Sequence, residues 1–216
     1  MKYNFDEEIN RKNTQSAKWG VIQDSDNPSR WIATDAYFGD DRMLPLWVAD
    51  MDFAAPQPVV DALVRRARHG IYGYTTRTAD YDAAVVDWMK RRQGWTVEPD
   101  WILTTPGVVP AVNLLVRTYT RPGEKVLVQK PVYYPFYNAI ENNAARIVSS
   151  SLRLEDDRYT IDVADFEKKA ADPATTLFIL CSPHNPVGRV WTREELTRIG
   201  EICVKHNVLV IADEIH

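Results

Sequence analysis

The sequence predicts an α/β fold: a mainly parallel sheet flanked by helices, preceded by an N-terminal arm or small-domain segment. Three observations predict it. Short apolar runs at 101–104, 125–129, 146–152, 176–181 and 208–212 read as strands. The segments between them have helical patterns or helix-length spacing, the crossovers that parallel neighbours need because a tight turn cannot join them. Runs such as LFIL and VLVIA have no alternating polar face, so the strands they form are covered on both sides.

Taken in order, residues 1–55 are polar, have no clear period and carry Trp19, Trp31 and Trp47 as isolated anchors. This segment reads as an arm or part of a small domain, and 56–216 as the first part of a larger one. From Pro56, Val59, Val60, Leu63, Val64 and Ala67 recur at helical spacing, with Pro58 suited to a first turn and Gly70 to the stop. Arg65, Arg66 and Arg68 lie near that helix's negative end. Thr78 opens a second amphipathic helix with Tyr81, Ala84, Val85, Trp88 and Met89 on one face and Gly94 closing it. A further helix follows TPGVV at 105–109. The best-signalled one starts at Thr192, which forms a capping box with Glu195 and leads into Leu196, Ile199 and Cys203.

The 216 residues, 45% apolar and 26% charged with a net charge of −4, describe an ordinary globular chain without long disorder. A mildly acidic balance supplies no broad field for nucleic acid or anionic lipid, so neither partner is expected. The longest unbroken apolar runs, Leu177–Cys181 and Val208–Ala212, are too short for a membrane span. MKYNFDEEINRKN has no apolar signal core, which predicts a cytoplasmic location. Cys181 and Cys203 fall in a strand and a helix and suit buried, reduced thiols. No glycine precedes a lysine and no two glycines are two apart, which removes both common phosphate-loop motifs despite the two acids that follow VLVIA. HExxH, CxxC and GxSxG are absent as well, so no metal site is expected and a serine hydrolase lacks its marker.

Open α/β sheets bind ligands at the carboxyl ends of their strands. There lie four features suited to an aromatic, phosphorylated, cationic ring. Asp213 ends a buried strand and could hold a ring nitrogen, Asn185 in SPHNPVG could donate to a ring oxygen, and Tyr133 could stack on a ring face. The amides of Gly107, Val108 and Val109 could receive a phosphate at a helix start. Each has an ordinary structural role too: a carboxylate closing a strand, a turn before Pro186, a core aromatic, a helix that begins somewhere. Together, in chain order at successive strand ends, they match the phosphate, ring face, ring oxygen and ring nitrogen of pyridoxal 5'-phosphate (PLP).

The stretches LPLWVADMDF (44–53), GIYGYT (70–75), PVYYPFY (131–137), CSPHNPVGRVWTREEL (181–196) and ADEIH (212–216) closely resemble the MalY/PatB family of PLP-dependent cystathionine β-lyases. That family has the aspartate-aminotransferase fold, fold type I. The resemblance implies that Asp213 pairs with the pyridine nitrogen, Asn185 bonds the phenolic oxygen, Tyr133 stacks on the ring, and Gly107, Val108 and Val109 bind the phosphate. It implies further that Tyr74 reaches the phosphate of a second subunit, so that a homodimer shares its sites. His216 stands where many aminotransferases carry a tyrosine near the phenolic oxygen, and Asp50 to Asp52 lie on a loop near the substrate entrance. The Trp in GRVW and the His in DEIH point to the lyase branch, which cleaves an amino-acid substrate such as cystathionine to homocysteine, pyruvate and ammonia. Transamination, or a non-catalytic regulatory role for this piece, is the alternative. In the resembled family a lysine beyond the ADEIH strand holds PLP covalently, and none of Lys2, Lys12, Lys18, Lys90, Lys125, Lys130, Lys168, Lys169 and Lys205 lies in that motif. The expectation is therefore an incomplete large domain, the front part of a protein roughly twice as long, with its catalytic lysine after His216.

Overall fold

The computed structural model describes residues 3–11, 14–27, 30–33 and 45–216. Leu44, which opens LPLWVADMDF, lies outside the described residues, as does 34–43 within the N-terminal segment. The chain forms two compact units, Met1–Thr78 and Ala79–His216.

The first unit is less irregular than its polar sequence suggests. A one-turn helix α1 (Ala17–Gly20), capped by the Ser16 side chain, leads into an antiparallel ribbon of β1 (Val21–Gln23) and β2 (Trp31–Ala33). Nor are the tryptophans isolated: Trp31 and Trp47 stack with ring centres 5.5 Å apart, and Trp19 Nε1 donates to Asp52 Oδ1 at 2.8 Å. Helix α2 (Gln57–His69) runs as expected, with Pro58 in its first turn and Gly70 ending it in the left-handed conformation, φ +73°. No residue of α2 is buried, so Val59, Val60, Leu63 and Val64 stay on an uncovered face.

The second unit opens with α3 (Ala79–Gln93), which Gly94 closes at φ +66° while Trp95 N bonds back to Met89 O. Four parallel strands follow: β3 (Lys125–Val128), β4 (Arg146–Ser149), β7 (Thr175–Cys181) and β8 (Leu209–Asp213), in the spatial order β4-β3-β7-β8. Helices α4 (Val108–Tyr119) and α5 (Pro135–Glu141) cover one face, and α6 (Val163–Ala170) and α7 (Arg193–Lys205) the other. The strands alternate between two cores, as a period of two requires. Val126, Val128, Leu177, Ile179, Cys181 and Ile211 join Val112, Val116, Phe136 and Ile140 on the α4–α5 side. Leu127 and Phe178 join Phe166, Ile199, Ile202 and Cys203 on the other. The expected capping box at Thr192 and Glu195 starts α7.

Two features depart from the sequence expectation. The apolar run at 101–104 is not a strand: Pro99–Trp101 forms a single 3₁₀ turn whose last bond runs from Ile102 N to Pro99 O at 3.1 Å, and Ile102 is extended at φ −86°, ψ 117°. An extended segment becomes a strand only through a ladder with a neighbour, and among the described residues this run belongs to no sheet. Between β4 and α6 the chain adds a small hairpin, β5 (Arg153–Glu155) and β6 (Arg158–Thr160). Asp156 and Asp157 turn it with φ of +47° and +58°, the paired positive values of a two-residue hairpin loop.

Candidate functional site

Because β3, β7 and β8 are adjacent and parallel, their carboxyl ends emerge along one edge of the sheet. At that edge Cys181 and Asp213 stand opposite each other in register, and Ser182 N donates to Asp213 O at 3.0 Å. Asp213 follows Ile211 by two residues and therefore faces the α4–α5 side with Cys181. Only 7% of Asp213 is exposed. Its Oδ1 accepts the Ile215 amide at 3.1 Å, and among the described residues no Lys, Arg or His pairs with it. A buried carboxylate is retained at low cost only with a cationic or multiply donating partner, so this one asks for a positive N–H above it.

Tyr133 stands on the loop between β3 and α5, half-buried against the same core. Its ring meets Phe136 edge-on at 5.8 Å and Tyr134 at 5.7 Å. Burial pushes the Tyr133 hydroxyl's pKa up, and the nearby Tyr134 and Asp213 add to the rise. Tyr133 packs on the core cluster that contains Cys181, the register partner of Asp213.

Val108, the first residue of α4, packs on that core too. Val108 and Val109 occupy the first turn, whose N–H groups have no acceptor within the helix, and Pro110 carries no N–H. No side chain caps this end: Gly107 precedes it at φ +154°, a conformation that L side chains rarely adopt, and Thr105 Oγ1 bonds Gly107 O at 2.9 Å. A bare helix start with unspent amides and a glycine in front of it suits an anion.

Asn185 lies on the loop that follows β7. Its backbone N–H donates to Cys181 Sγ at 3.4 Å, and among the described residues its side-chain amide has no partner. Cys181 in turn reaches Pro183 O at 3.6 Å, and the buried Trp191 donates from Nε1 to Cys181 O at 3.0 Å. Burial, opposed by the Asn185 bond and aided by Asp213, pushes the Cys181 thiol up. Burial alone pushes Cys203 up to about 11. Both thiols are free. At pH 8, about one Cys203 in a thousand is then ionised, and the thiolate is the reactive form. An alkylating reagent at pH 8 is expected to label neither cysteine in the folded protein and both after denaturation, as read by mass spectrometry.

The structure thus brings together Asp213, Tyr133, Cys181 and the start of α4 on one side of the sheet, with the Asn185 loop joined to Cys181. Tyr74 belongs to the first compact unit, fully exposed, and His216 lies three residues beyond Asp213, also exposed. Asp50 and Asp52 are engaged within the first unit: Arg11 bonds both at 2.9 and 2.7 Å, and Lys18 Nζ meets Asp52 at 2.6 Å. The bonds from Lys18 and Trp19 hold the Asp52 carboxyl below its ordinary range. Sequence reasoning missed Cys181 as part of this site, although it lies inside the 181–196 motif. Its place opposite Asp213 depends on strand register, which no local pattern encodes.

The profile of the family described as aminotransferase class I and II matches residues 41–216. Cystathionine β-lyase PatB of Bacillus subtilis (strain 168) is 47% identical over 213 residues, 99% of this chain and 52% of the relative. Protein MalY of Escherichia coli (strain K12) is 31% identical over 215 residues, with the same coverage. Among solved structures, cystalysin from Treponema denticola, which contains a PLP cofactor, superposes with a TM-score of 0.87 at 39% identity, over all of this chain and 52% of that one. The chain spans about half the length of the curated relatives it matches.

Proposed function

The chain belongs to the aminotransferase class I and II family, and from that membership we propose that the complete protein is a PLP-dependent carbon–sulfur β-lyase. It would cleave cystathionine, or a related cysteine S-conjugate, with water to a thiol, pyruvate and ammonia. The observation that carries the reading is Asp213, a carboxylate 7% exposed at a strand end with no cationic side chain among the described residues paired to it. The lyase class is supported by the relative at 47% identity, named a cystathionine β-lyase.

The residues present fit the cofactor: a buried carboxylate with no cationic partner among the described residues, an uncapped helix start behind a glycine at positive φ, and a half-buried tyrosine lie on one side of the sheet. When bound, PLP draws electrons away from the Cα of an amino acid. Asp213 would hold a proton on the ring nitrogen, which maintains that pull. The Asn185 amide would donate to the phenolic oxygen, Tyr133 would stack on the ring face, and the Gly107, Val108 and Val109 amides would hold the phosphate. The roles proposed for this chain bind and orient. Tyr74 would complete the phosphate site of a second subunit in a homodimer, and His216 would lie near the phenolic oxygen. The location that fits is the cytoplasm; among the described residues no helix is long and apolar enough to cross a membrane.

Incubating the complete protein and PLP with cystathionine and with other cysteine S-conjugates tests the reading. Stoichiometric pyruvate and thiol are expected; amino-group transfer to a keto acid without pyruvate would turn the reading to transamination, and no uptake of PLP would end it.

A further inference from the structure

His184, beside Asn185, is 2% exposed. Its Nε2 lies 2.8 Å from Pro131 O, across 53 residues of sequence. A carbonyl oxygen only accepts, so Nε2 carries the hydrogen. Nδ1 is buried and among the described residues accepts or donates no hydrogen bond, and burial lowers the pKa of the ring against the opposing pull of the Pro131 and Cys181 backbone.

Both ends of this bond are short levers on the site. On one side Pro131 is two residues from Tyr133, and the preceding carbonyl, Lys130 O, accepts the Leu152 amide at 2.7 Å. On the other, Asn185 is the next residue. His184 itself is held: its N donates to Arg189 O at 2.7 Å, its O accepts from Gly188 N at 2.8 Å, and its ring meets Trp191 edge-on at 5.4 Å. The β3–α5 loop is thus pinned at Lys130 by Leu152 and at Pro131 by His184, and the second bond ties it to the loop of Asn185.

We propose that His184 is a positioning residue, a neutral strut whose Nε2–H sets the spacing between the Tyr133 loop and the Asn185 loop. This rests on the cofactor reading above for its consequence, not for its geometry. A strut of this kind demands a donor at the right reach rather than an imidazole as such. Glutamine can place an amide N–H on Pro131 O; methionine fills similar space and cannot.

The test compares wild type, His184→Gln and His184→Met in the complete protein. PLP dissociation constants are expected within about threefold of wild type for His184→Gln and raised about tenfold or more for His184→Met, the scale of a buried acceptor left unpaired. Amide exchange at Val132 and Tyr133 should quicken in His184→Met alone. A His184→Met protein that matches wild type in both, or a folded His184→Gln that loses as much as His184→Met, overturns the proposal. Nitrogen-15 spectra of wild type supply a reading that needs no variant: an Nδ1–H tautomer overturns it, an Nε2–H tautomer supports it. If wild type itself takes up no PLP, the cofactor reading fails while the exchange and tautomer data still decide the strut.

Discussion

Replacing Asp213 with asparagine in the complete protein is expected to slow pyruvate release from cystathionine by about 10²- to 10⁴-fold. Removing one partner of a buried ion pair costs about 3–5 kcal/mol. Each 1.36 kcal/mol is about a tenfold change in rate. The substitution is close to isosteric, so it isolates charge from packing: Asn can still accept the Ile215 amide, and the backbone bond from Ser182 to residue 213 is untouched. Thermal stability should therefore move little while turnover collapses and PLP binding weakens. Steady-state pyruvate assays, cofactor titration and melting curves on the same preparation separate these quantities. Turnover within threefold of wild type would show that the carboxylate does not serve the ring nitrogen.

The largest expected loss of stability comes from Phe178→Ala. Phe178 is fully buried in β7, a central strand, and meets Phe166 of α6 edge-on at 4.9 Å. Truncating a core phenylalanine costs about 3–5 kcal/mol, and the lost aromatic pair lies near 0.5–1.5 kcal/mol beyond its area. Against a total near 5–15 kcal/mol, that is a large fraction. Urea unfolding should show a destabilisation above about 3 kcal/mol for Phe178→Ala, whereas Leu154→Ala, on the exposed β5, should stay within about 0.5 kcal/mol. Similar midpoints for the two variants would contradict the packing described.

Legibility followed physical range. The runs at 125–129, 176–181 and 208–212 announce strands because covering on both faces leaves no polar positions to obscure them, and Thr192 and Glu195 announce a helix because a cap is local. Asp213 and Tyr133 were readable as strand-end residues, and the structure puts both on the α4–α5 side. By contrast, 101–104 has the composition of a strand but among the described residues joins no sheet, and composition cannot report a neighbour. The Asp156–Asp157 hairpin hides in a charged stretch whose turn depends on two positive φ angles that aspartate tolerates without advertising. Cys181 reads as a buried thiol, and nothing in the sequence singles out His184. Their contacts with Asn185 and Pro131 exist only once β3 and β7 lie side by side.

Among the described residues strand β8 hydrogen-bonds to β7 on one side only, and along it Leu209 and Val210 are exposed. An open row of peptide groups accepts one more strand by backbone pairing alone, so the sheet can widen at β8 without any change in the residues already packed beneath it.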